Sequence, residues 1–315
     1  MTEESSQDMV YAVAVSPNFA ADGVCFAARL SGLYCSRDGG QSWRDAYAAL
    51  KLEAPLPTTV VAISPDFAND RSVFAGVNGG VLRSADGGET WRIASLGAPP
   101  PLISALVISP NFEQDGALLL GSMEDGVFRS ADRGRLWEPW NFGLLDLHVI
   151  CMVASPGFAA DETLFAGTET GIFRSTNGGR AWREVNFPTD FAPVVSMALS
   201  PRFADDGVLF AGTESCGLFR SGDRGRTWER LGADVITEAV NAILVSPRFP
   251  DPAHVLVLHA GALLASRDGG QTWATWEPGA TLGADITAVA ALPGFALDGD
   301  AGLIVGLADG SVRRV

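Results

Sequence analysis

Lysine is almost absent from this chain of 315 residues. Lys51 is the only one, and arginine makes up the rest of the 22 basic residues, a bias that a GC-rich genome explains. Against them stand 37 acidic residues, for a formal net charge of −15. That balance works against neutralising phosphates, so no nucleic-acid partner and no anionic membrane surface is expected. Cysteine is scarce too. Cys25, Cys35, Cys151 and Cys216 are irregularly placed and too few for a disulfide framework, so free thiols are expected. Cys25 and Cys35 are the one pair that a hairpin could bring opposite each other. The three histidines, His148, His254 and His259, form no metal-binding spacing, and there is no nucleophile-elbow, HExxH or phosphate-loop pattern. No cofactor and no metal is therefore expected. No apolar run is long enough to span a bilayer, which argues against membrane insertion. The opening Met1-Thr-Glu-Glu-Ser-Ser-Gln-Asp is acidic, unlike a secretory signal, so the expected location is cytoplasmic unless a signal has been removed.

Glycine (36) and proline (18) are plentiful and fall mostly between short apolar runs. A turn of the form Ser-x-Asp-x-Gly-x-Thr-Trp recurs every 45–48 residues, beginning at Ser36, Ser84, Ser130, Ser175, Ser221 and Ser266. A fixed period of this size marks a circular or stacked array of one supersecondary unit. Each unit reads as four strands. Strand A ends in Ser-Pro, strand B runs through Phe-Ala-Gly, strand C is of the Gly-Leu-Phe-Arg-Ser type, and strand D starts at the Trp of the turn. Ser-Pro stands at Ser16, Ser64, Ser109, Ser155, Ser200 and Ser246, with a seventh copy in which Leu292 replaces Ser. A Phe follows each Pro by two residues. An Asp follows the first position by six in all copies but that at Ser246, where Asp251 comes one place early.

Four-stranded sheets repeated around an axis make a β-propeller. The repeat predicts an all-β fold of seven blades, the last lacking its own fourth strand. Residues 9–315 read as one propeller domain and 1–8 as a polar segment that could help close the last blade. The alternative is an exposed edge there, open to a partner strand. Four residues before each Ser-Pro the side chain is small, as at Ala12, Ala105, Cys151 and Ser196, which predicts crowding near the axis.

The recurring turn resembles the Asp-box, or BNR, repeat found in sialidases, sortilin-type receptors, some xyloglucan hydrolases and photosystem assembly factors. The likeness covers nearly the whole chain and implies a propeller. Its box positions here are Asp38 and Trp43, Asp86 and Trp91, Asp132 and Trp137, Asn177 and Trp182, Asp223 and Trp228, and Asp268 and Trp273. The carboxylate is expected to accept amide hydrogen bonds within its own turn, and the Trp to pack between sheets. Asn177 and Ala181 in the fourth box, and Leu136 in the third, depart from the pattern and predict looser turns. Sialidase chemistry requires an arginine cluster and a tyrosine nucleophile, but Tyr11, Tyr34 and Tyr47 all fall in the first blade.

Alternating strand direction sends the B–C and D–A loops to one face, and the A–B turns and boxes to the other. The first face collects Glu124, Asp125, Glu169, Glu214 and Asp309 from B–C loops, and Asp146, Asp190, Glu238 and Asp285 from D–A loops. These acids form the candidate site, a surface for a protein partner that is basic or carries a basic patch. Apolar residues of the D–A loops, among them Leu102, Phe142, Leu144, Phe187 and Phe191, are candidates for its centre. The expected function is a non-catalytic scaffold or assembly factor. The alternative is a carbohydrate-binding or glycan-hydrolysing propeller.

Overall fold

The computed structural model describes residues 8–97, 100–188, 192–280, 282, 285–299 and 302–315. Six antiparallel sheets of four strands each run A-B-C-D from the inside outwards, and a seventh has three among the described residues. The innermost strands are Val10–Val15, Thr58–Ile63, Ile103–Ile108, Val149–Ala154, Val194–Leu199, Val240–Val245 and Ile286–Ala291. Each touches the next, and Ile286–Ala291 touches Val10–Val15, closing a seven-bladed ring. Strand C of blade seven, Val312–Arg314, is its outermost strand among the described residues. Of residues 1–8, expected from sequence to help close that blade, 1–7 lie outside the described residues.

Every strand A carries a one-residue bulge at its second position. The unpaired residues are Tyr11, Thr59, Ser104, Ile150, Val195, Asn241 and Thr287. A bulge bends the strand and interrupts the ladder. Around five of the seven seams a side chain at or just after the bulge then donates to the first carbonyl of the following blade. Thr59 reaches Ile103 (2.6 Å), Cys151 reaches Val194 (3.3 Å) and Thr287 reaches Val10 (2.7 Å), while Ser104 and Ser196 do the same to Val149 and Val240.

The glycine of strand B makes this approach possible. A Cβ on Gly76 would stand 2.8 Å from Ile103 Cγ2, and one on Gly121 would stand 2.5 Å from Val149 Cγ1. On Gly167 it would meet Cys151 Sγ at 2.6 Å and the Val194 carbonyl at 2.8 Å. The small residues before Ser-Pro therefore answer to the blade seam, where they sit beside these glycines, as well as to the axis. In blades one and six Ala28 and Leu258 replace the glycine, opposite Ala12 and Ala242.

The Ser-Pro signal marks a second device. In blades one to five the Phe opens a four-residue helical turn that ends at the Asp, as at Phe19–Asp22 and Phe158–Asp161. The Phe is buried in all seven copies. Ser16 Oγ donates to Asp22 Oδ2 (2.6 Å), whose Oδ1 accepts the Val24 amide (2.9 Å), and four further blades repeat the pair. Both lone-pair sets of the carboxylate are thus spent on holding the A–B turn. The short helices are invisible to strand-period reasoning, because one turn leaves no 3.6-residue pattern.

Cys25 pairs with Ser36, and Phe26 with Cys35. Neighbouring positions of a strand point to opposite faces, so the two thiols cannot meet, and both are free. We expect Gly167→Val to cost about 1–3 kcal/mol of unfolding free energy through overpacking of the seam. Chemical denaturation of the purified variant measures it, and an unchanged midpoint would refute the seam argument.

Candidate functional site

Each of the two faces predicted from strand alternation is tied together by its own backbone hydrogen bonds. On one, B–C loops meet D–A loops: Met123 N–H donates to the Leu102 carbonyl, Gly126 to Leu147, Glu214 to Pro193 and Ala308 to Asp285. On the other, each box bonds its own A–B turn, as Gly39 does to Gly23 and Arg224 to Gly207.

The box carboxylates are satisfied within their own turns, whereas the Trp137 and Trp228 indole N–H groups are buried without a partner. Asp38 Oδ1 accepts the amides of Gln41 (3.0 Å) and Ser42 (2.9 Å) and the Ser36 hydroxyl (2.8 Å), while Oδ2 accepts the Ser42 hydroxyl. The boxes of blades two, five and six repeat this set. Hydrogen bonds from the Thr227 and Thr272 side chains, followed by amide bonds, hold Asp223 and Asp268 at about 2, below the usual 3.8. The third box lacks the hydroxyl bond because Leu136 offers only its amide (3.0 Å). In the fourth, Asn177 Oδ1 accepts the Ser175 hydroxyl and the Ala181 amide, while the Arg180 amide turns to the Asn177 carbonyl. Trp91 Nε1 donates to Ala46, and Trp182 Nε1 to Trp140, each in the preceding blade. Trp43 and Trp273 instead bond carbonyls of their own boxes.

Of the nine acids predicted on the loop face, Glu124, Glu169, Glu214, Glu238, Asp285 and Asp309 are exposed and Asp125 is half-buried. Asp190 lies outside the described residues, as does Phe191. Asp146 is different, since it is buried and structural. Its Oδ2 accepts the amide (2.9 Å) and hydroxyl (2.8 Å) of Thr170 in the adjacent B–C loop, and Oδ1 accepts the His148 amide (3.0 Å). Burial works against its charge, yet these donors hold its pKa below the ordinary carboxylate value. Asp8, counted from sequence with the terminal segment, has the same role at blade one, where it accepts the amide and hydroxyl of Ser31. The Asp309 carboxylate accepts the hydroxyl and amide of Ser311.

What remains free is a set of projecting carboxylates. Among the described residues Glu124, Glu214, Glu238 and Asp285 have no ion-pair partner, and Glu169 has only His148 at 4.0 Å. Of the apolar loop residues, Leu102 and Phe142 are exposed, and Leu145 and Leu147 join them. Leu144 is buried, and Phe187 packs on Phe219 and Trp228. Sequence reasoning missed Leu145 and Leu147 because a leucine in a loop carries no sign of which way it points. Among the described residues no group of three or more His, Cys, Asp or Glu is placed to hold a metal ion, and no helix is long and apolar enough to cross a membrane.

Asp146→Ala should cost about 1–3 kcal/mol, since it removes the shared acceptor of the Thr170 amide and hydroxyl and the His148 amide, whereas Glu169→Ala should stay within about 0.5 kcal/mol of the parent. Paired urea titrations separate the two roles. The box carboxylates make a second expectation. Their folded pKa lies below the unfolded one, so their contribution is complete above pH about 4 and is lost as pH falls toward about 2. Asp268→Asn should lower the thermal midpoint at neutral pH and flatten its fall across that window.

No protein-family model and no curated protein matches the chain. Solved structures do. A GH74 xyloglucanase from Xanthomonas campestris aligns over 98% of this chain and 52% of its own, with 20% identity and a TM-score of 0.72. YCF48 from Cyanidioschyzon merolae aligns over 98% of this chain and 96% of its own, with 14% identity and a TM-score of 0.70. A structure of YCF48 bound to D1 peptide covers 98% and 92%, at 18% identity and a TM-score of 0.70. The chain spans about half the length of the xyloglucanase and nearly the full length of YCF48. At these identities what is shared is the β-propeller fold, in forms that include a glycoside hydrolase and a peptide-binding protein.

Proposed function

We propose that this propeller is a non-catalytic scaffold whose loop face docks a protein partner bearing a basic patch. One observation carries the reading. Glu124, Glu169 and Glu214 project from the B–C loops of three successive blades, exposed and without an arginine or lysine, beside the exposed Leu102, Leu145 and Leu147. Charge with no internal partner draws an oppositely charged surface from a distance, and the leucines supply the apolar centre that a rim of charge surrounds. The box carboxylates, by contrast, have spent their lone pairs on their own turns. The peptide bound by YCF48, and its near full-length match to this chain, support a docking role.

The test is capture of partners from the native host, followed by interaction kinetics with each purified candidate. Charge reversal at Glu124, Glu169 and Glu214 together should slow association by about 10- to 1000-fold at low salt. Binding that survives the triple reversal would place the interface elsewhere.

A second reading, a glycan-binding or glycan-hydrolysing propeller, draws on the xyloglucanase likeness. Turnover of any member of a polysaccharide panel, abolished by an Asp or Glu substitution on the loop face, would favour it over the scaffold.

A further inference from the structure

The seam between blades four and five, on the box side and away from the acidic face, holds an open cavity of about 560 Å³. Arg174 and Arg183 enter it from blade four, and Arg224 and Arg226 from the fifth box. Among the described residues none of these four has a carboxylate within ion-pair distance. Arg174 is the most constrained. Its guanidinium lies over Phe165 (5.7 Å), Nη1 donates to the Arg224 carbonyl (3.3 Å), and its buried Nε has no partner. Burial, then the charges of Arg224 and Arg226, push its pKa down. The Arg224 guanidinium donates to the Ala204 carbonyl. The acid lining the adjoining cavity, Asp161, already accepts the Ser155 hydroxyl and the Thr163 amide. Glu184 is the one carboxylate in the lining.

Neighbouring seams resolve the same positions differently. Between blades three and four, Trp140 fills the space, with Arg129 at 4.4 Å and Arg180 at 5.4 Å from its ring, and Arg180 also pairs with Glu162 (3.2 Å). In blade five, Arg220 pairs with Glu229 (3.0 Å). At the four–five seam Val185 stands where Trp140 does, leaving room. The departures of the fourth box face this same cavity. Asn177 replaces a carboxylate that would repel an anion, and Ala181 replaces a threonine.

We propose that this groove binds a ligand through a phosphate or sulfate group, seated among Arg174, Arg183, Arg224 and Arg226. Guanidinium forks match tetrahedral oxyanions bidentately. Four of them offer more donors than one carboxylate can accept, while Asn177 and Asn186 add neutral amides for the remainder of the molecule.

Isothermal calorimetry on the full chain tests this with inorganic phosphate, inorganic sulfate and glucose 6-phosphate, with glucose and chloride as controls. Saturable binding of the oxyanions is expected, weakened at least tenfold by Arg226→Gln and by Arg183→Gln, and only partly restored by Arg226→Lys. Tighter binding of glucose 6-phosphate than of phosphate would assign the ligand to phosphorylated small molecules, and equal binding would assign it to the free anion. Either supports the site. Absence of saturable binding by the folded parent protein, or binding unaltered in both glutamine variants, would overturn it. Thermal midpoints of both variants without ligand report whether they remain folded. A loss of binding in a variant whose midpoint matches the parent is then attributable to the groove.

Discussion

How closely one blade can approach the next decides most of this structure. Strand A of each blade must come near enough to strand B of the preceding one for a β-branched side chain to rest on its backbone. Gly76, Gly121, Gly167, Gly212 and Gly306 permit this, since a Cβ at any of them would collide with the following blade. The bulge at the second residue of strand A turns a carbonyl out of its own ladder and offers it across the seam. Where the glycine is missing, at Ala28 and Leu258, no such side-chain bond crosses to the next strand A among the described residues. Those two seams carry ion pairs farther out: Arg37 and Arg44 with Glu89, and Arg267 with Asp298, which also lies 3.4 Å from His254 Nε2. Asp298 is free to reach across because Leu292 replaces the serine that its counterparts hold.

The two faces then differ in how they use polar groups. On the box side Ser, Asp and Thr bond one another and the local backbone, and four of the six boxes do so with the full set. On the loop face Glu124, Glu169, Glu214, Glu238 and Asp285 are exposed and, Glu169 near His148 aside, have no ion-pair partner among the described residues. Acidic residues of the same type therefore have opposite functions according to whether the turn geometry leaves amides within reach. The fourth box stands between these cases. It keeps its turn with a neutral amide, and around it stand four arginines that have no ion pair among the described residues.

The sequence carried the fold because the repeats mark their own boundaries, the seventh only by Leu292-Pro293 and without a box. Ser-Pro ends strand A, Phe-Ala-Gly names strand B, and the box names the C–D turn, so blade number and strand order could be counted. Which carboxylates would be free could not be counted. Asp146 and Glu169 look alike in a loop, and only the three-dimensional approach of Thr170 separates them. The bulges left a trace, since the small residues before Ser-Pro follow them, but packing against a glycine of the adjacent strand was needed to explain why those residues are small. The arginine groove was hidden for a similar reason. Its side chains come from two repeats, and the departures at Asn177 and Ala181 read as weakened turns until the cavity beside them came into view.

The side-chain-to-carbonyl bonds at five of the seams all run in one direction, from a blade to its successor. Each seam is thus heterologous, a donor surface meeting a different acceptor surface. Surfaces of that kind have no internal reason to stop at seven units. They stop because Thr287 meets Val10 and uses up the last donor and the first acceptor together. A ring broken at that contact would present one of each. Copies so opened would join head to tail, and the same geometry that closes the intact molecule would propagate a filament.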